Sequence, residues 1–234
     1  MKAFITGIGS GIGRETCLEF LTKGWAVVGV VRNPNHEKEL VETAKLLKGK
    51  LVTLNLDLSD SNFQDQLNAS LSSLNNPEFN VLINIAGVLS PMSVTEYSFE
   101  KIQQVLSVNF ISSALIIQSL IPYMKRRGTN NIINISSMSG FQGSLRFPGL
   151  AIYGASKAAL SSLTESLAVE LAEYNIHINA LAIGSVNTQM LKTAFPDYSS
   201  PIQPEQMAKY IYSFASEGFK LYNGKTLPVA VTNP

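Results

Sequence analysis

The strongest constraint on the fold of this chain is an alternation. Short apolar, β-branched runs recur at Lys2–Thr6, Ala26–Val31, Leu51–Asn55, Asn80–Asn84, Asn131–Ile135, Ile176–Ile183 and Thr226–Ala230. In most of them the apolar residues are consecutive, the pattern of parallel strands buried on both faces. Helix-like stretches lie between, near 11–23, 36–48, 60–74, 99–127, 153–174 and 204–216. Strands and helices alternating at this spacing predict an α/β fold: a doubly wound, seven-stranded parallel sheet with helices on both faces. Ligands of such sheets bind at the carboxyl ends of the strands, where the strand order reverses. The 234 residues suit a single domain over 1–234, and 45% apolar against 15% charged residues can supply its core.

The first strand runs into "TGIGSGIG", with glycines at 7, 9, 11 and 13. Glycine costs about 0.5–1 kcal/mol against alanine inside a regular element, so four together imply a backbone path closed to other residues. A glycine turn between first strand and first helix lets a pyrophosphate approach the backbone, where the free amides and dipole of the helix N-terminus hold it. The candidate cradle is Thr6, Gly7, Ser10, Gly11, Ile12 and Gly13, and the reading is a dinucleotide site. The second strand ends "VVGVVRNP". An acidic residue here would bind the adenosine ribose of NAD. Val31 and Arg32 stand there instead, and a guanidinium matches a phosphate through a bidentate fork. The expected cofactor is therefore NADP(H) in preference to NAD(H), with Arg32 on the 2′-phosphate.

The stretch "NISSMSGFQGSLRFPGLAIYGASKAAL" carries the candidate chemistry. Tyr153 and Lys157 are one helical turn apart and share a face. A phenol with its ordinary pKa near 10 can protonate a carbonyl oxygen. An ammonium ~4 Å away at an effective dielectric of ~20 would favour the phenolate by ~4 kcal/mol. That equals about three pKa units and would place the tyrosine near working pH. Ser136 and Ser137 follow the fifth strand, where a hydroxyl can donate to a developing oxyanion.

Together these segments resemble the short-chain dehydrogenase/reductase family, in its single-domain Rossmann branch, nearly end to end. "TGIGSGIG" fits the family's TGxxxGxG turn. "NIAG" at Asn84–Gly87 fits NNAG, with Ile85 for the second asparagine. "SVNF" supplies Asn109, "NISS" the serine, "YGASK" the YxxxK pair, and "NALAIGSVNTQM" resembles NxxxPGxVxT. The resemblance implies that Gly7, Gly11 and Gly13 cradle the pyrophosphate, that Asp57 and Leu58 meet the adenine, and that Asn84, Ala86 and Gly87 line the adenosine side. It implies that Val186 and Thr188 hold the carboxamide. Asn109 would hold a water in a proton relay with Lys157. Ser137 would polarise the substrate oxygen and Tyr153 would be the general acid or base. Lys157 would bind the nicotinamide ribose and lower the tyrosine pKa. The implied activity is hydride transfer between NADP(H) and a carbonyl or secondary alcohol. The alternative is a catalytically idle NADP-binding regulator on the same fold.

Three departures stand out. The interval from Ser137 to Tyr153 is sixteen positions, more than the family's usual interval, so the loop at 144–152 is expected to wall the substrate site with Phe141, Phe147 and Leu150. Ile183 stands where the family has proline, and the C-terminal strand runs into an unusual "AVTNP". Segment 187–203, with Met190, Leu191, Phe195 and Tyr198, is expected to be a flap over a mainly apolar substrate. A net charge of +1 asks for neither nucleic acid nor an anionic membrane. The start "MKAFITG" carries no leader pattern and no run of about 18 uninterrupted apolar residues occurs, so a cytoplasmic, non-membrane protein is expected. Cys17 is alone and reads as a buried apolar residue; no metal is called for. "KRR" at Lys125–Arg127 reads as a helix C-terminal cluster, and the long helices resemble the family's dimer face, implying a homodimer or homotetramer.

Overall fold

The computed structural model describes residues 1–75, 77–124 and 130–231. Seven parallel strands form one sheet in the order β3-β2-β1-β4-β5-β6-β7. They are β1 (Lys2–Thr6), β2 (Ala26–Val31), β3 (Lys50–Asn55), β4 (Val81–Asn84), β5 (Asn130–Ser137), β6 (Ile176–Ile183) and β7 (Thr226–Val229). The helices are α1 (Gly11–Thr22), α2 (Pro34–Ala44), α3 (Phe63–Ser73), α4 (Phe99–Leu106), α5 (Ser112–Leu120), α6 (Ala151–Glu170), α7 (Gln189–Ala194) and α8 (Pro204–Ser216). The strand order reverses between β1 and β4, which opens a crevice above their carboxyl ends.

Consecutive apolar residues place a side chain on each face of the sheet in turn. Ala3 and Ile5 of β1 pack with Phe20 and Leu21 of α1, Leu40 of α2 and Ile211 and Phe214 of α8. Phe4 points the other way, onto Leu67 and Leu71 of α3, Ile116 and Leu120 of α5, and Ile178. Trp25 closes the first layer, edge-on to Phe20 with ring centroids 5.1 Å apart. Cys17 is buried in that layer, and burial pushes its thiol up to about 12.

Some boundaries differ from the sequence pattern. Strand β5 extends through Ser136 and Ser137, because both pair with β6 opposite Ala182 and Ile183. The apolar stretch expected as one helix is broken between α4 and α5 by a π-turn over Ser107–Ile111. The run Phe99–Tyr123 contains an 18-residue stretch of mean hydropathy 1.7 and is long and apolar enough to cross a membrane. Half of its most apolar stretch is buried in this fold, where Val105, Val108, Ile116 and Leu120 serve the core. Lys125–Arg127 lie outside the described residues.

Candidate active site

The cleft above the crevice is built first by glycine geometry. Gly7 has φ +72, and a Cβ there would stand 2.8 Å from the Ala86 Cα. At Gly13 a Cβ would stand 2.1 Å from the Gly7 carbonyl oxygen, so any side chain would force strand and helix apart. Thr6 completes the junction. It is buried, and its Oγ1 accepts hydrogen bonds from the amides of Ile85 and Ala86, both 3.0 Å. Thr6 therefore ties β1 to the segment after β4 rather than facing the cleft.

Ser10 is the N-cap of α1 but makes no side-chain cap, which leaves the first-turn amides uncapped beside the glycine turn. The cleft is lined there by Gly7, Ser10, Gly11, Ile12 and Gly13. Arg32 and Asp57 line its outer end together with Leu58. Burial pushes the Asp57 carboxyl upward, but hydrogen bonds from the Ser59 hydroxyl and amide and the charge of Arg32 hold it below the usual range. Asp57 does not cap α3, whose N-cap is Asn62. Uncapped amides, a side-chain-free turn and a guanidinium at the far end fit a dinucleotide, with anionic groups on the amides and Arg32.

The inner end of the cleft holds Tyr153 and Lys157 from the first turns of α6, Ala86, Gly87, Ile183 at the end of β6, and Thr188. The Lys157 Nζ donates to the Ile135 carbonyl at 2.8 Å and lies 6.0 Å from the Tyr153 ring centroid. Lys157 is 4% exposed, and burial lowers its amine from the ordinary 10.5 to about 8. Burial also raises the Tyr153 phenol above its usual value, opposed only by a hydrogen bond from the Ser137 hydroxyl. The expected acidification of Tyr153 by Lys157 therefore does not hold in this structure. The lysine is committed to a carbonyl, and desolvation dominates both groups. Ser137 Oγ also accepts from the Ser139 amide at 3.1 Å, which fixes its rotamer.

Asn109 is fully buried in the π-turn. Its Oδ1 accepts from the Val88 amide at 2.7 Å, and its Nδ2 donates to the Val88 carbonyl and to Ser156 Oγ, both 3.0 Å. Ser156 Oγ in turn donates to the Tyr153 carbonyl at 2.6 Å. The side chain of Asn109 thus clamps the segment after β4 to the first turn of α6. A π-turn that inserts one extra residue is what turns Asn109 inward. Gly87 leaves room for this clamp: a Cβ on it would stand 3.3 Å from Asn109 Oδ1 and 3.5 Å from the Lys157 Nζ.

Other expected residues lie elsewhere. Asn84 is 2% exposed and turned into the core. Its Nδ2 donates to Asn134 Oδ1 at 2.9 Å, and Asn134 Nδ2 donates to Thr164 Oγ1 at 2.9 Å. Alternation along β4 puts Asn84 on the same face as Leu82, inside the core, and only past the strand end do Ala86 and Gly87 reach the cleft. Val186 is buried against the core on the α1 and α8 side. Phe147 and Leu150 line a second cavity, of about 910 Å³, with Pro91, Met92, Ala155 and Ala158. Phe141 lines neither cavity. The loop turns away because the Arg146 guanidinium donates to the Ser139 and Phe141 carbonyls. Segment 187–203 contains a helix, α7, which brings Gln189 and Met190 to the cleft, while Leu191, Phe195 and Tyr198 stay outside it. Ile183 ends β6 paired with Val229, and Gly184 donates to the Val229 carbonyl at 2.9 Å. A proline at this position would bring no amide to the sheet. Met190 is the expected flap residue that does line the cleft, and His36, Gln189 and Val88 line it with no role assigned to them by the sequence.

Comparisons with known proteins agree with this architecture. The family model for short chain dehydrogenases matches residues 1–199. A 2-dehydro-3-deoxy-D-gluconate 5-dehydrogenase of Bacillus subtilis is 33% identical over 193 residues, 81% of this chain and 72% of that protein. A 3-oxoacyl-acyl-carrier-protein reductase of Thermotoga maritima is 29% identical over 238 residues, 96% of this chain and 94% of its own length. The crystal structure of a putative NAD(P)-dependent gluconate 5-dehydrogenase from Beutenbergia cavernae with bound NADP superposes with TM-score 0.85 at 27% identity, covering 98% of this chain and 94% of that one. The chain belongs to the short-chain dehydrogenase family and is an oxidoreductase of that family.

Proposed function

We propose that the chain reduces a carbonyl, or oxidises the corresponding secondary alcohol, with NADP(H) as cofactor. The observation that carries this reading is the convergence of three groups on one cleft. The Tyr153 phenol, held by Ser137 and followed one turn later by Lys157, shares the cleft with the uncapped glycine turn and with Arg32. The dinucleotide, when bound, supplies or takes up the hydride. The chain handles the proton. Tyr153, kept protonated by burial, donates it to the substrate oxygen as negative charge develops there. The Ser137 hydroxyl holds the phenol in place for that transfer. Lys157 offers its ammonium toward the cleft floor, where sugar hydroxyls of a dinucleotide would lie. Arg32 reads the 2′-phosphate, which supports NADP(H) over NAD(H); the Beutenbergia relative, described as NAD(P)-dependent, holds NADP at low occupancy.

The test is NADPH oxidation, followed by absorbance, against a panel of ketones, aldehydes, keto sugars and 3-oxoacyl thioesters. Turnover of at least one carbonyl with NADPH, and at least tenfold less with NADH, is expected. Binding of NADPH with no turnover of any carbonyl would refute the catalytic reading.

A further inference from the structure

The outer corner of the cleft holds an imidazole with no assigned role. His36 stands in the first turn of α2, exposed, and lines the cleft beside Val31, Arg32 and Asn33. It reaches across to the glycine turn: a Cβ on Gly9 would stand 3.4 Å from both its Cβ and its Nδ1. Among the described residues, the charged or titratable groups lining the cleft besides Tyr153 are Arg32, His36, Asp57 and Lys157. Lys157 belongs to the inner end, on the Ile135 carbonyl. The glycine turn and the end of β2 face His36 with no acid or base of their own except Arg32. Glu37, its neighbour on α2, has its carboxylate occupied by Thr53 Oγ1 and Asn55 Nδ2 of β3.

Arg32 does not face this corner alone, because Asp57 lies close enough to feel its charge. One cation and one carboxylate leave the corner near neutral. A phosphate monoester carries a charge of about −1.5 to −2 at neutral pH, so a second cation there decides how well it is matched. Histidine is the side chain whose charge changes across the physiological range.

We propose that His36 is a second ligand of the adenosine 2′-phosphate beside Arg32, and that its protonation strengthens the preference for NADPH over NADH at lower pH. This rests on the NADP(H) reading above. The experiment measures dissociation constants for NADPH and NADH by calorimetry at pH 6.5 and 8.5, in the wild type, His36→Gln, His36→Lys and Arg32→Ala. The wild-type preference for NADPH is expected to be about fivefold greater at pH 6.5 than at pH 8.5. His36→Gln is expected to show the lower preference at both pH values, and His36→Lys the higher one at both, with NADH affinity unchanged throughout. A His36→Gln protein that keeps the wild-type preference and its pH dependence would leave Arg32 as sole reader and overturn the proposal. A wild type without NADPH preference, or an Arg32→Ala variant that retains it, would overturn the NADP(H) reading and this proposal together.

Discussion

Lys157→Met should stabilise the cofactor-free chain while abolishing turnover, and the stabilisation should depend on pH. In the unfolded chain the amine keeps its ordinary 10.5, whereas burial lowers it to about 8 in the fold. Between those values the unfolded chain binds more protons than the folded one, so wild-type stability rises with pH across the window. At ~1.36 kcal/mol per pKa unit, burying the protonated amine costs about 3 kcal/mol at pH 6.5. At pH 9.5 the remaining cost is about 1.5 kcal/mol by the same relation. Methionine has no charge to bury and similar length, so it loses only the hydrogen bond to the Ile135 carbonyl, by the same amount at both pH values. The stability difference between variant and wild type should therefore shift in the variant's favour by roughly 2 kcal/mol on going from pH 9.5 to 6.5. With a urea slope of about 3 kcal/mol per molar, that is a relative midpoint shift of roughly 0.5–1 M. Equilibrium urea unfolding at both pH values, at one fixed protein concentration, reads it directly. Equal midpoint differences at the two pH values would show that Lys157 is solvated in the cofactor-free chain, and the reasoning would fail.

Two further outcomes are expected. Tyr153→Phe should keep NADPH binding within about twofold and lower turnover at least a hundredfold, because only the proton donor is removed; steady-state kinetics with calorimetry checks it, and near-wild-type turnover would reassign the acid. Ser156→Ala should lower kcat about tenfold with little change in NADPH affinity, because the link from Asn109 to the Tyr153 carbonyl is cut and the phenol loses its register; Ser156→Thr should restore most of it, and an unchanged kcat would make the link purely structural.

The fold was legible because its signals are local. Runs such as "AVVGVV" and "VLIN" mark buried parallel strands by themselves, and the glycines at 7 and 13 mark a junction where a Cβ meets backbone. Residues in the cleft by virtue of the motif itself, such as Gly11, Tyr153 and Lys157, follow from that junction and from helical spacing. Direction was harder to read. Asn84 belongs to the strand before the cleft and not to the cleft, because its side chain falls on the core side of β4. Phe147 and Leu150 look like a substrate wall in one dimension, yet the Arg146 clamp folds their loop toward another cavity. His36 and Gln189 reach the cleft through the placement of α2 and α7, which no residue spacing encodes. The charge state of Tyr153 depends on burial, and a spacing of four residues carries no information about burial.

The polar row from the Asn84 and Asn134 amides to the Thr164 hydroxyl has a bearing on how the sheet assembles. Asn84 follows Val81, Leu82 and Ile83 in β4, and Asn134 stands between Ile133 and Ile135 in β5, where one aliphatic side chain fits a greasy layer about as well as the next. A slip of one residue between them would leave two amides stranded in hydrocarbon with nothing to bond, at about 1–3 kcal/mol for each orphaned group. The row therefore works as a keyway, admitting one alignment of the two strands whose ends the cleft is built upon.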